Sequence, residues 1–240
     1  MFPRKEKKLV FSEKTKKEFS HKKMNMDKEI ISEDKFIMEN LNNGYLEVIL
    51  GPMFSGKTSK LLEIQKQYAF CNIPVLTINQ SDDNRYGTSN KLITHDERNI
   101  DCISATTIKE VLLDNIELLT SPSPLAVLIN EGQFFEDLYE CVFKLVTIYK
   151  KHVYVAGLDG DSNRSKFGEM LEIIPLCDNV TKLHSLCVFC KSGIKGIFSH
   201  RLKHSNCQKQ IGSNDLYVPL CRKCFDNQTI NTLVTSSPYS

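Results

Sequence analysis

The sequence predicts an α/β fold: a parallel sheet with helices on both faces, joined to a small cysteine-held module. Three observations predict it. Four apolar runs, LEVIL (46–50), PVLTI (74–78), LAVLI (125–129) and HVYVAG (152–157), are near-continuous rather than alternating, as strands buried on both faces are. Stretches with helical spacing separate them. Beyond residue 184 the chain turns Cys-, Gly- and Lys-rich, carries two C-x-x-C pairs and shows no long helical pattern.

The elements follow in order. Residues 1–44 lack sustained apolar periodicity, end in the turn-like NNG, and read as a flexible basic extension with 11 Lys+Arg against 8 Asp+Glu. Order begins at Tyr45 with the first strand. A helix is expected from Lys57 to about Phe70, with Leu61, Leu62, Ile64 and Tyr68 on one side. After the second strand, QSDDNRYGTSN (80–90) is a polar loop. Residues 107–119 form an amphipathic helix that SPSP breaks. Residues 136–150 place Leu138, Cys141, Val142, Leu145, Val146 and Tyr149 at helical spacing, and the fourth strand follows. The expected domains are the extension (1–44), an α/β domain (45–183), a cysteine-held module (184–225) and a flexible tail (226–240).

Composition narrows the function classes. The net charge of +2 is concentrated in the extension, which carries +3 and leaves the body at −1. A near-neutral body argues against direct nucleic-acid binding. No apolar stretch has the length of a transmembrane helix and the N-terminus has no signal core, so no membrane role is expected and the cytoplasm is the expected location. The basic start leaves nuclear entry open. Of nine cysteines, four fall in the two pairs. Cys71, Cys102, Cys141 and Cys177 read as buried or partly buried small hydrophobes, with Cys207 the remaining one.

Two motifs carry chemistry. Gly51-Pro52-Met53-Phe54-Ser55-Gly56-Lys57-Thr58 matches G-x-x-x-x-G-K-[ST], after a strand and at the start of a helix. Glycines let the backbone curl so that its N–H groups face phosphate oxygens, and the helix N-terminus adds partial positive charge. Lys57 reaches the β- and γ-phosphates of a nucleotide, and Thr58 offers a hydroxyl to Mg²⁺. The rest of such a site belongs at the carboxyl ends of the strands, on SDDNRYG (81–87), NEGQFF (130–135) and LDGDSNRSKFG (158–168). Arg85 is placed to stabilise a transferring phosphoryl group. Glu131 stands beside Asn130, where a metal-holding aspartate is usual, and is a candidate base.

The second motif is Cys187-x-x-Cys190 and Cys221-x-x-Cys224, separated by 30 residues. Four thiolates close a tetrahedral Zn²⁺ site without an open position, which makes the zinc structural. The metal staples residues 191–220, a segment carrying Phe198, Gly212 and Tyr217. An aromatic-lined, anchored lid beside a nucleotide site points to a planar second substrate such as a nucleobase.

Taken together, GPMFSGKT, EGQFF, LDG…FG and the paired C-x-x-C with Tyr217 four residues before the second pair resemble thymidine kinases of the P-loop, zinc-lasso type, the cellular and bacterial class. The resemblance spans about residues 45–225. It implies transfer of the γ-phosphoryl of ATP, bound with Mg²⁺, to the 5′-hydroxyl of thymidine or deoxyuridine for DNA-precursor salvage. It also implies a homotetramer and feedback binding of thymidine triphosphate. By the same resemblance Glu131 is the general base, with Lys57 and Arg85 as catalytic partners. The phosphate loop, Asp83, Asn84, Arg85, Asn130 and Gln133 take ATP and its magnesium. Met53, Phe134, Leu158, Ser162, Phe167, Ser199, Gln210, Ile211, Gly212 and Tyr217 surround the nucleoside. Four departures stand out: Asn130 for Asp, Ser162 for an aromatic, Ser213 for a second glycine, and two extra residues before Phe198-Ser199. Two other readings compete: a kinase-fold nucleoside-binding subunit that has lost turnover, and a zinc-ribbon P-loop ATPase acting on nucleic acid. The near-neutral body disfavours the latter.

Overall fold

A computed structural model describes residues 43–81, 91–93, 99–202 and 216–235. Strand β1 (Tyr45–Leu50) runs through the glycine loop into helix α1 (Lys57–Phe70), and β2 (Val75–Gln80) follows. Next come a short antiparallel pair, β3 (Lys91–Ile93) and β4 (Asn99–Asp101), and strand β5 (Ile103–Ala105). Helices α2 (Ile108–Asp114) and α3 (Ile116–Thr120) lead to β6 (Ala126–Ile129). A 3₁₀ turn, Gly132–Phe134, precedes α4 (Leu138–Phe143), then β7 (His152–Gly157) and β8 (Asn179–Lys182).

Six strands form one sheet in the order β5-β2-β6-β7-β1-β8, with every neighbouring pair parallel. The pleat divides its apolar residues between two faces. Leu46, Val48, Leu76, Ile78, Val127, Ile129, Val153 and Val155 pack with Ile108, Val111 and Leu112 of α2, Leu138 and Val142 of α4, and Leu145 just beyond α4. Ile49, Leu128, Tyr154 and Ala156 pack on the other side with Leu61 and Ile64 of α1. Both faces are therefore covered, which is why the strands read as continuous apolar runs.

The local departures have physical causes. The helix expected over 107–119 breaks at Asn115, whose amide Nδ2 donates to the Val111 carbonyl at 2.9 Å. The start of α2 is held from a distant segment: Asp137 accepts the N–H groups of Ile108 (3.2 Å) and Lys109 (2.8 Å), favourable at a helix N-terminus. After α4 the chain widens into a π-helical stretch, Lys144–Ile148. Strand β8 escaped the sequence reading because three of its four residues, NVTK, are polar and it is mostly exposed; its pairing with β1 makes it a strand. Cys102 and Cys141 are buried and Cys177 half-buried, but Cys71 is exposed, one residue past the end of α1.

The C-terminal module is built from short ribbons. β9 (Ser185–Leu186) pairs with β10 (Lys195–Gly196), and β11 (Phe198–Arg201) with β12 (Tyr217–Leu220), both antiparallel. Contrary to the expectation of no long helix here, α5 (Arg222–Thr235) follows and runs through residues assigned to a flexible tail. Its first turn is anchored by Phe225, buried against Phe198 at 5.1 Å between ring centroids. No helix among the described residues is long and apolar enough to cross a membrane.

Candidate active site

Parallel pairing brings the carboxyl ends of β1, β7, β6 and β2 to one edge of the sheet. Residues 51–58 curl from β1 into α1, with Gly56 in the left-handed region (φ 87). Lys57 is nearly buried and its Nζ donates to the carbonyls of Gly51 (3.1 Å) and Pro52 (2.9 Å). The ammonium is thus held inside the curl of the loop. Ser55 Oγ is the one buried side-chain polar atom among the described residues that lacks a hydrogen-bond partner. A hydroxyl donor and an ammonium held within one backbone loop fit a phosphate chain, which supplies acceptor oxygens and negative charge. Met53 N–H donates to Ser199 Oγ at 2.9 Å, so the loop is tied to β11 of the C-terminal module.

Two strands away, roughly 10 Å at ordinary strand spacing, β6 ends at Asn130. Its amide is buried and donates to Asn79 Oδ1 at 2.8 Å, linking the ends of β6 and β2. Glu131 follows in the left-handed region (φ 54, ψ 42), a conformation that costs a non-glycine residue about 1–3 kcal/mol and recurs at functional sites. Its Oε2 accepts from Gln133 Nε2 at 2.6 Å. Gln133 Oε1 accepts the Leu158 N–H at 2.9 Å, just past β7. Phe134 meets Phe167 edge-to-face, with centroids 5.3 Å apart. The segment 159–168 is folded back by Asp161, whose Oδ1 accepts the N–H groups of Asn163 (2.8 Å) and Ser165 (2.9 Å).

The four paired cysteines converge. The Sγ atoms of Cys187, Cys190, Cys221 and Cys224 all lie within 4.8 Å of one another, with Cys190 3.5 Å from Cys221 and 3.3 Å from Cys224. A tetrahedral zinc with Zn–S of about 2.3 Å requires sulfurs about 3.8 Å apart, so this donor set fits one zinc ion. Burial pushes the Cys187 thiol up, but the backbone N–H groups of Cys190, Cys221 and Phe189 outweigh it and bring it down to about 6. The hydrogen bond to Cys190 pushes Cys224 up to about 12. A divalent cation among the four would favour thiolate at every position. Arg164, from the 159–168 segment, stacks its guanidinium over Phe225 (4.8 Å) and Phe198 (5.5 Å) and pairs with Asp226 at 2.8 Å. This joins the segment to the four-cysteine module.

Against known families, the thymidine kinase model matches residues 44–225. The chain belongs to the thymidine kinase family. It is 39% identical over 185 residues to the thymidine kinase of vaccinia virus (strain Western Reserve), which covers 77% of this chain and 98% of the relative. It is 38% identical over the same length and shares to the thymidine kinases of variola virus and monkeypox virus.

The fold brings together most of the residues the family resemblance points to. Met53, Lys57, Thr58, Asn130, Glu131, Gln133, Phe134 and Leu158 lie on three neighbouring strand ends, and Phe167 packs beside them. Ser162 is half-buried on the folded-back segment. Ser199 is buried against the phosphate loop. Tyr217 is buried, and its hydroxyl accepts from Arg201 Nε (3.1 Å) and Nη2 (2.8 Å) across the β11–β12 ribbon. Asp83, Asn84, Arg85, Gln210, Ile211 and Gly212 lie outside the described residues. Sequence reasoning missed Asn79 and Arg164. Asn79 sits at the end of an apolar run with no motif of its own. The signal for Arg164 was present in Asp161-Ser-Asn-Arg, a turn-forming stretch that aims the following side chain outward.

Proposed function

We propose that this thymidine kinase family member transfers the γ-phosphoryl group of ATP to the 5′-hydroxyl of thymidine, and of deoxyuridine, giving the nucleoside monophosphate and ADP. One observation carries the reading: Glu131 stands at a strand end two strands from the phosphate loop, its carboxylate held by a buried glutamine. In this reading residues 51–58 cradle the phosphates, with Lys57 on the transferring group. Magnesium bound with ATP would neutralise phosphate charge, and Thr58 and Asn130 would hold it. Asp83, Asn84 and Arg85 complete the phosphate side. Glu131 takes the proton of the 5′-hydroxyl as its oxygen bonds to the γ-phosphorus and the bond to the ADP oxygen breaks. Positioning and charge stabilisation do most of the work in such transfers.

The base rests between Phe134, Phe167, Leu158, Met53 and Ser162, under a zinc-held lid spanning 184–225 that carries Ser199, Gln210, Ile211, Gly212 and Tyr217. The nucleotide-binding domain spans 45–183. A homotetramer, feedback binding of thymidine triphosphate, and a cytoplasmic location belong to the same proposal.

The test is transfer of labelled γ-phosphate from ATP to thymidine with Mg²⁺, in the parent and in Glu131→Gln. Turnover in the parent and a loss of about a hundredfold or more in the variant are expected, near the lower bound for a general base. A parent inactive on both thymidine and deoxyuridine would overturn the proposal.

A further inference from the structure

Gln133 has a distinctive setting. It is 3% exposed. One end of its side-chain amide donates to the Glu131 carboxylate and the other accepts the Leu158 N–H, so it bridges the ends of β6 and β7. The space around it is moulded to it. A Cβ on Gly157 would lie 2.6 Å from Gln133 Oε1, and one on Gly168 would lie 2.2 Å from the Gln133 carbonyl oxygen. Both approaches are closer than a methyl group allows, so each glycine leaves room for this residue. Glu131, by contrast, sits on a backbone in the left-handed region, which persists only where the surrounding structure holds it.

We propose that Gln133 is the positioning residue of Glu131, acting through the carboxylate rather than as a ligand of ATP. The inference rests on the reading of Glu131 as the base. The amide donor orients Oε2 of the carboxylate. The bond to Leu158 fixes the amide's orientation, so that the N–H rather than the oxygen faces Glu131. It also registers the carboxylate against the strand end that carries the nucleoside side of the site.

Two variants of the full chain test this, with kcat and the KM for ATP and thymidine measured alone and in a Glu131→Gln background. Gln133→Met keeps an unbranched side chain and removes both hydrogen bonds. Gln133→Glu keeps an acceptor for Leu158 N–H but sets an acid against Glu131. The expected result in both variants is a kcat about tenfold or more below the parent, with a KM for ATP within about twofold. In the Glu131→Gln background the Gln133→Met change should lower kcat by about twofold or less, because the carboxylate it orients is gone. A raised KM for ATP with kcat unmoved would overturn the inference and make Gln133 a nucleotide ligand. A Gln133→Met loss that persists in full in the Glu131→Gln background would overturn it in favour of a purely structural role. If Glu131→Gln retains the parental activity, the base reading itself falls and the inference with it. If Glu131→Gln loses activity while the Gln133 variants keep the parental kcat, the inference alone falls.

Discussion

Gly168→Ala tests the contact that joins the two halves of the candidate site. Gly168 has φ 55, and a Cβ there would lie 2.2 Å from the Gln133 carbonyl oxygen, 2.9 Å from its carbon and 3.1 Å from its Cα. All three atoms are backbone, so no rotamer change relieves the clash. The segment ending in Phe167-Gly168 must move away from Gln133, and the edge-to-face contact of Phe134 with Phe167 goes with it. Placing a side chain in the left-handed region costs about 1–3 kcal/mol and overpacking costs a similar amount, so the sum is about 2–6 kcal/mol. In a chain of this size that lowers the melting temperature by about 5 °C or more. Gly160→Ala is the internal control. It lies on the same segment, has no left-handed φ, and its Cβ would meet nothing closer than 3.5 Å; its cost is about 0.5 kcal/mol or less. Thermal melts of the two variants beside the parent, with kcat on thymidine, decide the matter. The Gly168 variant should lose kcat as well as stability, because Gln133 shifts and Glu131 shifts with it. A Gly168→Ala protein that melts with Gly160→Ala and turns over normally would refute the close backbone contact.

Two further outcomes follow from the metal chemistry. Cys221→Ser removes one of four converging sulfurs; the purified variant should carry less than the one zinc per chain expected of the parent by elemental analysis, and melt at lower temperature. A parent that is stable and active with no zinc would sink the four-thiolate reading. Asn130→Asp restores a charge where a metal-holding aspartate is usual, and Asn79 must turn its amide to present N–H instead of oxygen. The magnesium concentration for half-maximal turnover should fall by about 5–30-fold, the equivalent of about 1–2 kcal/mol for one polar contact. An unchanged magnesium dependence would show that residue 130 does not contribute to metal binding.

The sequence by itself determined the sheet class, the glycine loop that opens α1 and the cysteine quartet. Each is written in local, short-range chemistry. A strand buried on both faces must be apolar throughout, a phosphate-binding turn needs glycines at fixed spacing, and a tetrahedral thiolate site needs paired cysteines. Helix α1 was legible to its ends for the same reason, since the loop motif sets its start and Leu61, Leu62 and Ile64 set its buried face. The tertiary structure alone decided the rest. Strand β8 is mostly polar and becomes a strand only through the edge that β1 offers it. Asn79 acquires meaning from Asn130, 51 residues away. Arg164 acquires it from the aromatic rings of Phe198 and Phe225. Gln133 lay inside a recognised motif, yet its partners, a carboxylate on one strand end and a backbone N–H on the next, exist only once β6 and β7 pair. Hydrogen bonds between strand ends depend on register and on side-chain direction. Neither is fixed by residue type, so the sequence supplied the parts of the site and the packed sheet supplied their mutual orientation.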